Sequence, residues 1–175
     1  MNSVSAAIVV GVDGSPSNDA AIDLAVQQAR LHGRPLRLVH AFEWPVPFIY
    51  PGPSPEGPAD AGLAADADRI LAAGLERARQ AGGPQLQVDG EVITGAAVPV
   101  LLRQTAYASL LVVGDRGLGG FAGLLLGSVS TQLAAHAPVP VLVARGTSRP
   151  DGPVVVGVDG SDHSRLALET ALKEA

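Results

Sequence analysis

Residues 6–12, Ala-Ala-Ile-Val-Val-Gly-Val, form an apolar run with no polar alternation, and it stops abruptly at Asp13-Gly14-Ser15-Pro16. A strand with one wet face alternates apolar and polar residues. A run apolar on both faces belongs in the middle of a parallel sheet covered by helices. Leu110–Val113 repeats the pattern and stops at Gly114, and Pro35–Phe42 reads as another strand. Between the first two strands, Ser17 to Leu31 places Ala20, Ala21, Leu24, Ala25 and Ala29 at helical spacing. Ser17 is the expected N-cap, Asp19 suits the first turn and Gly33 ends the helix.

The same reading continues along the chain. Ala59–Ala81 is a second helix, stopped by Gly82-Gly83-Pro84, and Leu86–Ile93 alternates as an edge strand should. Ala97–Tyr107 is a third helix with Pro99 in its first turn, and a fourth runs from about Gly127 to His136. Val139–Val143 is a fifth strand whose Pro140 places it at an edge. Five strands alternating with four helices define an α/β fold of three layers with a mainly parallel sheet. Glu43–Pro58 stands apart. It holds six prolines, and Phe42, Trp44, Phe48 and Tyr50 cluster in it or at its edge. Those aromatics form either a lid over a ligand or a plug beneath a long loop.

Val10-Gly11-Val12-Asp13-Gly14-Ser15 recurs 146 residues later as Val156-Gly157-Val158-Asp159-Gly160-Ser161. Leu166, Ala167, Thr170 and Ala171 then follow at helical spacing, as after the first copy. The expected organisation is one domain over residues 1–145, a linker over 146–153, and the first strand and helix of a second repeat over 154–175. An extra edge element in a single domain is the alternative. The length of 175 residues, long for one domain and short for two, fits a restart.

Composition narrows the chemistry. The absence of cysteine removes disulfides, thiolate zinc sites and cysteine nucleophiles. A net charge of −5 and one lysine, Lys173, argue against a nucleic-acid groove. No stretch reaches the ~20 apolar residues of a membrane span, and no basic region precedes the first apolar run. The expected location is therefore cytoplasmic. His32, His136 and His163 are dispersed and make no metal site, and His40 reads as a core residue that ends a buried strand.

In open parallel sheets, ligands bind beyond the carboxyl ends of the strands, where strand order reverses. Two segments fall at such ends: Asp13-Gly14-Ser15, and Gly114-Asp115-Arg116-Gly117-Leu118-Gly119-Gly120, leading on to Gly127-Ser128-Val129-Ser130 at a helix start. Glycines let backbone N–H groups approach a phosphate, and the helix N-terminus favours negative charge. Ser128 and Ser130 add hydroxyls, and Arg116 brings a planar fork. Asp13 either contacts the ligand or closes an Asx turn. No lysine accompanies a glycine loop, so the P-loop pattern is absent. The dinucleotide fingerprint, the acidic pair of a phosphoaspartate receiver and the G-x-S-x-G elbow are absent too. A flavin site survives only if the aromatic cluster sandwiches the ring.

Through Val-Gly-Val-Asp-Gly-Ser, Leu-Val-His-Ala and the glycine motif ending in Gly-Ser-Val-Ser, the first 145 residues resemble the universal stress protein family, in its ATP-binding branch. The resemblance implies a five-stranded sheet in order 3-2-1-4-5 with helices on both faces, Rossmann-like and similar to the adenine nucleotide alpha hydrolases. It implies that Asp13 bonds the ribose or adenine side, with Gly11 at the pocket floor. Ala41 stands where the family often has valine against adenine. Gly114 to Gly120, including Asp115, Arg116, Gly117, Leu118 and Gly119, would wrap the phosphates, and Gly127, Ser128, Val129 and Ser130 would close over them. ATP, with Mg²⁺ held mainly by the phosphates, is the implied ligand. A homodimer through Val139–Val143 is implied as well. Three functions follow as expectations: an ATP-binding regulatory module of the stress response, a slow ATPase, or an interaction protein with a vestigial site. No general base is evident beside the loop, where Asp115 is the nearby carboxylate.

Overall fold

The computed structural model describes residues 6–43, 59–117, 126–146 and 152–174. The expected aromatic loop around Trp44 and the middle of the glycine loop, Leu118, Gly119 and Gly120, lie outside the described residues.

Five strands, β1 (Ala7–Gly11), β2 (Leu36–Phe42), β3 (Val88–Thr94), β4 (Ala108–Gly114) and β5 (Val141–Ala144), form one sheet in the order β3-β2-β1-β4-β5, with every pair parallel. The helices are α1 (Pro16–Leu31), α2 (Ala59–Gly82), α3 (Ala97–Gln104), α4 (Ser128–His136) and α5 (Asp162–Glu174). A 3₁₀ turn, Thr105–Tyr107, carries the last residues of the expected third helix into β4.

The apolar runs work as their composition requires. In β1, Ile8 and Val10 join Leu36, Leu38 and Val112 beneath Ala21, Ile22 and Ala25 of α1 and Leu71 and Ala78 of α2. Val9 points to the other face, where it joins Val39, Leu111 and Val113 beneath Val100 and Leu101 of α3 and Leu133 of α4. Two cores, one on each side of the sheet, leave β1 and β4 buried on both faces. The alternating strand β3 and the short β5 take the edges, as their sequences predict. Across the outer face of α1, Arg77 of α2 makes two bonds to Asp23, at 2.8 and 2.6 Å, and one to Asp19 at 3.1 Å. These carboxylates raise the Arg77 pKa, the hydrogen bond to Asp23 first.

The start of α1 differs from expectation. Ser15, not Ser17, occupies the N-cap position, and Pro16 is the first helical residue, where its missing N–H costs no hydrogen bond. Ser17 lies inside the helix, and its hydroxyl is directed elsewhere.

The repeated segment builds a repeated turn. In the first copy, the Ser15 N–H donates to Asp13 Oδ1 at 2.9 Å, with Gly14 at φ +74°. In the second, the Ser161 N–H donates to Asp159 Oδ1 at 2.9 Å, with Gly160 at φ +83°. Both glycines sit in the left-handed region that side chains resist. A helix follows each turn. The buried face of α1 includes Ala21, Ile22, Ala25 and Val26, and 146 residues on stand Ala167, Leu168, Ala171 and Leu172. Here the copies part: Val154, Val155 and Val158 form no strand, and Leu168 and Leu172 are exposed. Local chemistry makes the turn and the helix, whereas a strand needs a neighbour with which to pair.

Candidate functional site

From β1 the chain adds β2 and β3 on one side and β4 and β5 on the other, so the reversal lies between β1 and β4. Beyond the carboxyl ends of these two strands the sheet opens into a cleft of about 430 Å³. Its floor is apolar: Gly11 and Val12 at the end of β1, Val39 and Ala41 of β2, and Val113 of β4, with Ala97 and Leu101 of α3 closing one side. Gly11 is required there by space, since a Cβ would lie 2.9 Å from Leu101 Cδ1 and 3.4 Å from Val113 Cγ1.

The rim is polar. Asp13, Ser15, Ser17 and Asn18 contribute from the β1–α1 turn, Gly114, Arg116 and Gly117 from the end of β4, and Gly127, Ser128, Val129 and Ser130 from the start of α4. The Asn18 carboxamide oxygen accepts from the Asp13 N–H at 3.1 Å, which with the Asx turn locks the Asp13 backbone. The Asp13 carboxylate faces the glycine loop so closely that a Cβ on Gly117 would lie 2.5 Å from its Oδ2.

At the end of β4, three successive carbonyl oxygens are all engaged by protein donors. Gly114 O accepts from the Ser130 hydroxyl at 2.8 Å. Asp115 O accepts from the Gly127 N–H at 2.6 Å. Arg116 O accepts from the Ser17 hydroxyl, and from the Ser15 hydroxyl at 3.4 Å. Carbonyl dipoles that would repel an anion are thereby occupied. The first turn of α4, whose N–H groups at Ser128, Val129 and Ser130 precede the first intrahelical donor, Thr131, opens onto the cleft. Arg116 is about half exposed at the rim.

Ten of the fourteen residues singled out in the sequence therefore line one cleft: Gly11, Asp13, Ala41, Gly114, Arg116, Gly117, Gly127, Ser128, Val129 and Ser130. Asp115 does not. Its carboxylate is buried and turned toward Arg116 Nε at 3.5 Å and Arg145 Nε at 3.9 Å, and its N–H donates to Ala144 O at 2.9 Å, so it ties the loop to the end of β5. Leu118, Gly119 and Gly120 lie outside the described residues. His40 is a buried core residue, with Nδ1 donating to Val12 O at 2.7 Å. The residues that sequence reasoning missed are of two kinds. Val39, Ala97, Leu101 and Val113 carry no signal beyond being apolar residues of β2, α3 and β4. Ser17 and Asn18 sit four and five residues after Asp13, and their place at the rim shows only once β4 is brought alongside. Among the described residues, no group of three histidines or carboxylates gathers into a metal site.

The fold and the cleft together define a doubly wound α/β protein with an open cleft at its topological switch point, apolar at one end and rich in N–H and hydroxyl donors at the other. The chain belongs to the universal stress protein family, whose profile matches residues 6–145. It is 38% identical over 190 residues to universal stress protein Rv1996 of Mycobacterium tuberculosis H37Rv, an alignment covering 96% of this chain and 58% of that protein. The chain thus spans under three fifths of the length of the curated relatives it matches. Among solved structures it is similar to a universal stress protein in complex with cAMP, with TM-score 0.58 and 32% identity, covering 81% of this chain and 97% of the other. The fold is shared with the universal stress protein UspA of Lactobacillus plantarum, at TM-score 0.61 and 24% identity over 82% of this chain and 100% of that one. Among the described residues, no helix is long and apolar enough to cross a membrane.

Proposed function

We propose that the cleft binds an adenine nucleotide, ATP in the working state, and that the protein acts as a cytoplasmic nucleotide-dependent regulatory module of the stress response. The observation that carries this reading is the treatment of the carbonyls at Gly114, Asp115 and Arg116. All three are engaged by protein donors, beside a helix N-terminus and one guanidinium. That is an environment suited to phosphate oxygens. The apolar floor of Gly11, Val39, Ala41, Leu101 and Val113 suits a flat base, and Ala41 leaves more room above it than valine would. Asp13, held by its turn, would accept from a sugar hydroxyl. The cAMP complex of a relative 32% identical to this chain supports the nucleotide class.

Phosphates would be held by N–H groups of the glycine loop and α4, the Ser128 hydroxyl and Arg116. A Mg²⁺ ion would supply charge neutralisation on the phosphates, with water rather than a protein cage completing its shell. Regulation rather than turnover is the reading given to the two nearby carboxylates. Asp115 pairs with Arg116 and Arg145 and does not line the cleft, and Asp13, the carboxylate that does, already accepts from the Ser15 N–H through Oδ1 and is assigned to the sugar. Two further readings belong to this proposal. Residues 154–175 are the restart of a second domain, supported by the matched turns at Asp13 and Asp159. The edge strand at Val139–Val143 pairs two copies into a dimer, supported by the position of β5 at the sheet margin.

Mass spectrometry of small molecules released from the purified protein tests the ligand. Near-stoichiometric adenine nucleotide is expected, and a phosphate-release assay on the same sample should stay at background. Sustained phosphate release would move the reading to a slow ATPase. A nucleotide-free protein that takes up none when supplied would leave an interaction module.

A further inference from the structure

Two hydroxyls at the N-terminus of α1 occupy the Arg116 carbonyl. Ser17 Oγ donates to Arg116 O, 99 residues away in sequence, and Ser15 Oγ lies 3.4 Å from the same oxygen and 3.2 Å from Ser17 Oγ. Gly114 makes room for this approach, since a Cβ there would sit 2.7 Å from Ser17 Oγ.

The second copy of the turn serves as an internal control. Ser161 stands where Ser15 stands, and its hydroxyl accepts from the Ser164 N–H at 3.1 Å, as an N-cap residue ordinarily does. Ser15 occupies the N-cap position of α1 yet makes no such bond. In the first copy the Asn18 N–H bonds instead to the Ser15 carbonyl at 3.0 Å, and the Ser15 hydroxyl turns to Arg116 O. At the place of Ser17 the second copy has His163.

Fixing a carbonyl fixes its whole peptide plane. In a trans peptide the following N–H points opposite to the carbonyl, and no cis bond occurs among the described residues. With Arg116 O drawn toward α1, the Gly117 N–H is turned away from α1. The Gly117 nitrogen lies 4.0 Å from the point where a Cβ on Gly127 would sit, beside the opening of α4.

We infer that Ser17, assisted by Ser15, is a positioning residue for anion binding. By holding the Arg116 carbonyl against α1, it aims the Gly117 N–H at the corner shared with the first turn of α4. Ser17 thus sets affinity for the phosphate part of a ligand and leaves the base and sugar part untouched. This inference rests on the cleft being an adenine-nucleotide site, and the test separates the two.

The deciding pair is Ser17→Thr and Ser17→Val in the full chain. These have the same shape and differ in the hydroxyl, and Ser17→Ala serves as the smaller companion. ATP, AMP and adenosine are titrated into each by calorimetry, with unfolding midpoints recorded alongside. The expected result is that Ser17→Val binds ATP about tenfold more weakly than Ser17→Thr, as for the loss of one well-made hydrogen bond near charge. AMP should be affected less, and adenosine should bind the two alike. Equal loss for ATP and adenosine marks a merely structural role and overturns the inference, as does no difference for any ligand. If the wild-type chain binds none of the three, the nucleotide reading fails, and the positioning role fails with it.

Discussion

A Cβ on Gly117 would sit 2.5 Å from Oδ2 of Asp13, so the glycine loop after β4 and the turn after β1 are in van der Waals contact through a residue that has no side chain. The two motifs read separately in the sequence form one wall of the cleft. Gly117→Val should push the Asp13 carboxylate away and weaken ATP binding at least tenfold. Asp13→Ala should also weaken binding and should cost about 1 kcal/mol of stability, because the Ser15 N–H loses its acceptor. Combined, the two should cost less than the sum of their separate effects, since Asp13→Ala removes the atom that the introduced valine side chain would strike. A double-mutant cycle by calorimetry measures the coupling.

The floor offers a second test. Gly11 faces Leu101 at a distance that leaves no space for a methyl group. Gly11→Val should overpack the α3 side of the sheet and destabilise the protein by roughly 1–3 kcal/mol in urea unfolding. It should also narrow the base end of the cleft, so that adenosine affinity falls with that of ATP. This pattern is the reverse of the one expected at Ser17.

These same residues mark what is legible in the sequence and what is not. Apolar runs such as Ile8–Val10 and Leu111–Val113 announce strands buried on both faces, because burial on both sides leaves no position for a polar residue. The glycines announce the loop, because close backbone approach has no other solution. Ser17 reads as an N-cap in the sequence and is not one. Its hydroxyl bonds to Arg116 O, a partner invisible until the sheet brings β4 beside β1. Asp115 looks like a ligand residue because it sits in the loop. Its carboxylate faces Arg116 beside it and Arg145 just past the end of β5, and no local pattern reveals the second. Leu101 of α3 and Val39 of β2 carry no mark at all, since an apolar residue that borders the cleft reads like any other core residue.

On the outer surface, Arg77 links α2 to Asp19 and Asp23 on α1. All three side chains are substantially exposed, so the gain is that of a surface network rather than a buried pair. Arg77→Ala should cost about 1 kcal/mol at low salt, and less in about 0.5 M salt. Urea unfolding at the two ionic strengths checks both the size and the screening. Nucleotide affinity should not change.

The second turn has its own signature. The Asp159 pKa is lowered, first by the Ser161 hydroxyl and then by the Ser161 N–H. A lowered value means that the charged carboxylate favours the folded turn. The contribution is therefore present above the ordinary aspartate range and is lost as pH falls through the lowered value. Following the Asp159 carboxyl carbon by NMR should give a midpoint below that of an unpaired aspartate. Ser161→Ala should move the midpoint back up while leaving the N–H contribution in place. A midpoint unchanged by Ser161→Ala would mean that the turn does not persist in solution.

The central claim is that the cleft between β1 and β4 holds an adenine nucleotide by its phosphates. Calorimetric titration of ATP into the nucleotide-stripped chain, run in parallel with Gly117→Val, tests it most directly. The account predicts one saturable site per chain with a free energy of about −8 kcal/mol, the micromolar range, and severe weakening in Gly117→Val. No saturable binding to the wild-type chain, or equal binding by the variant, would contradict it.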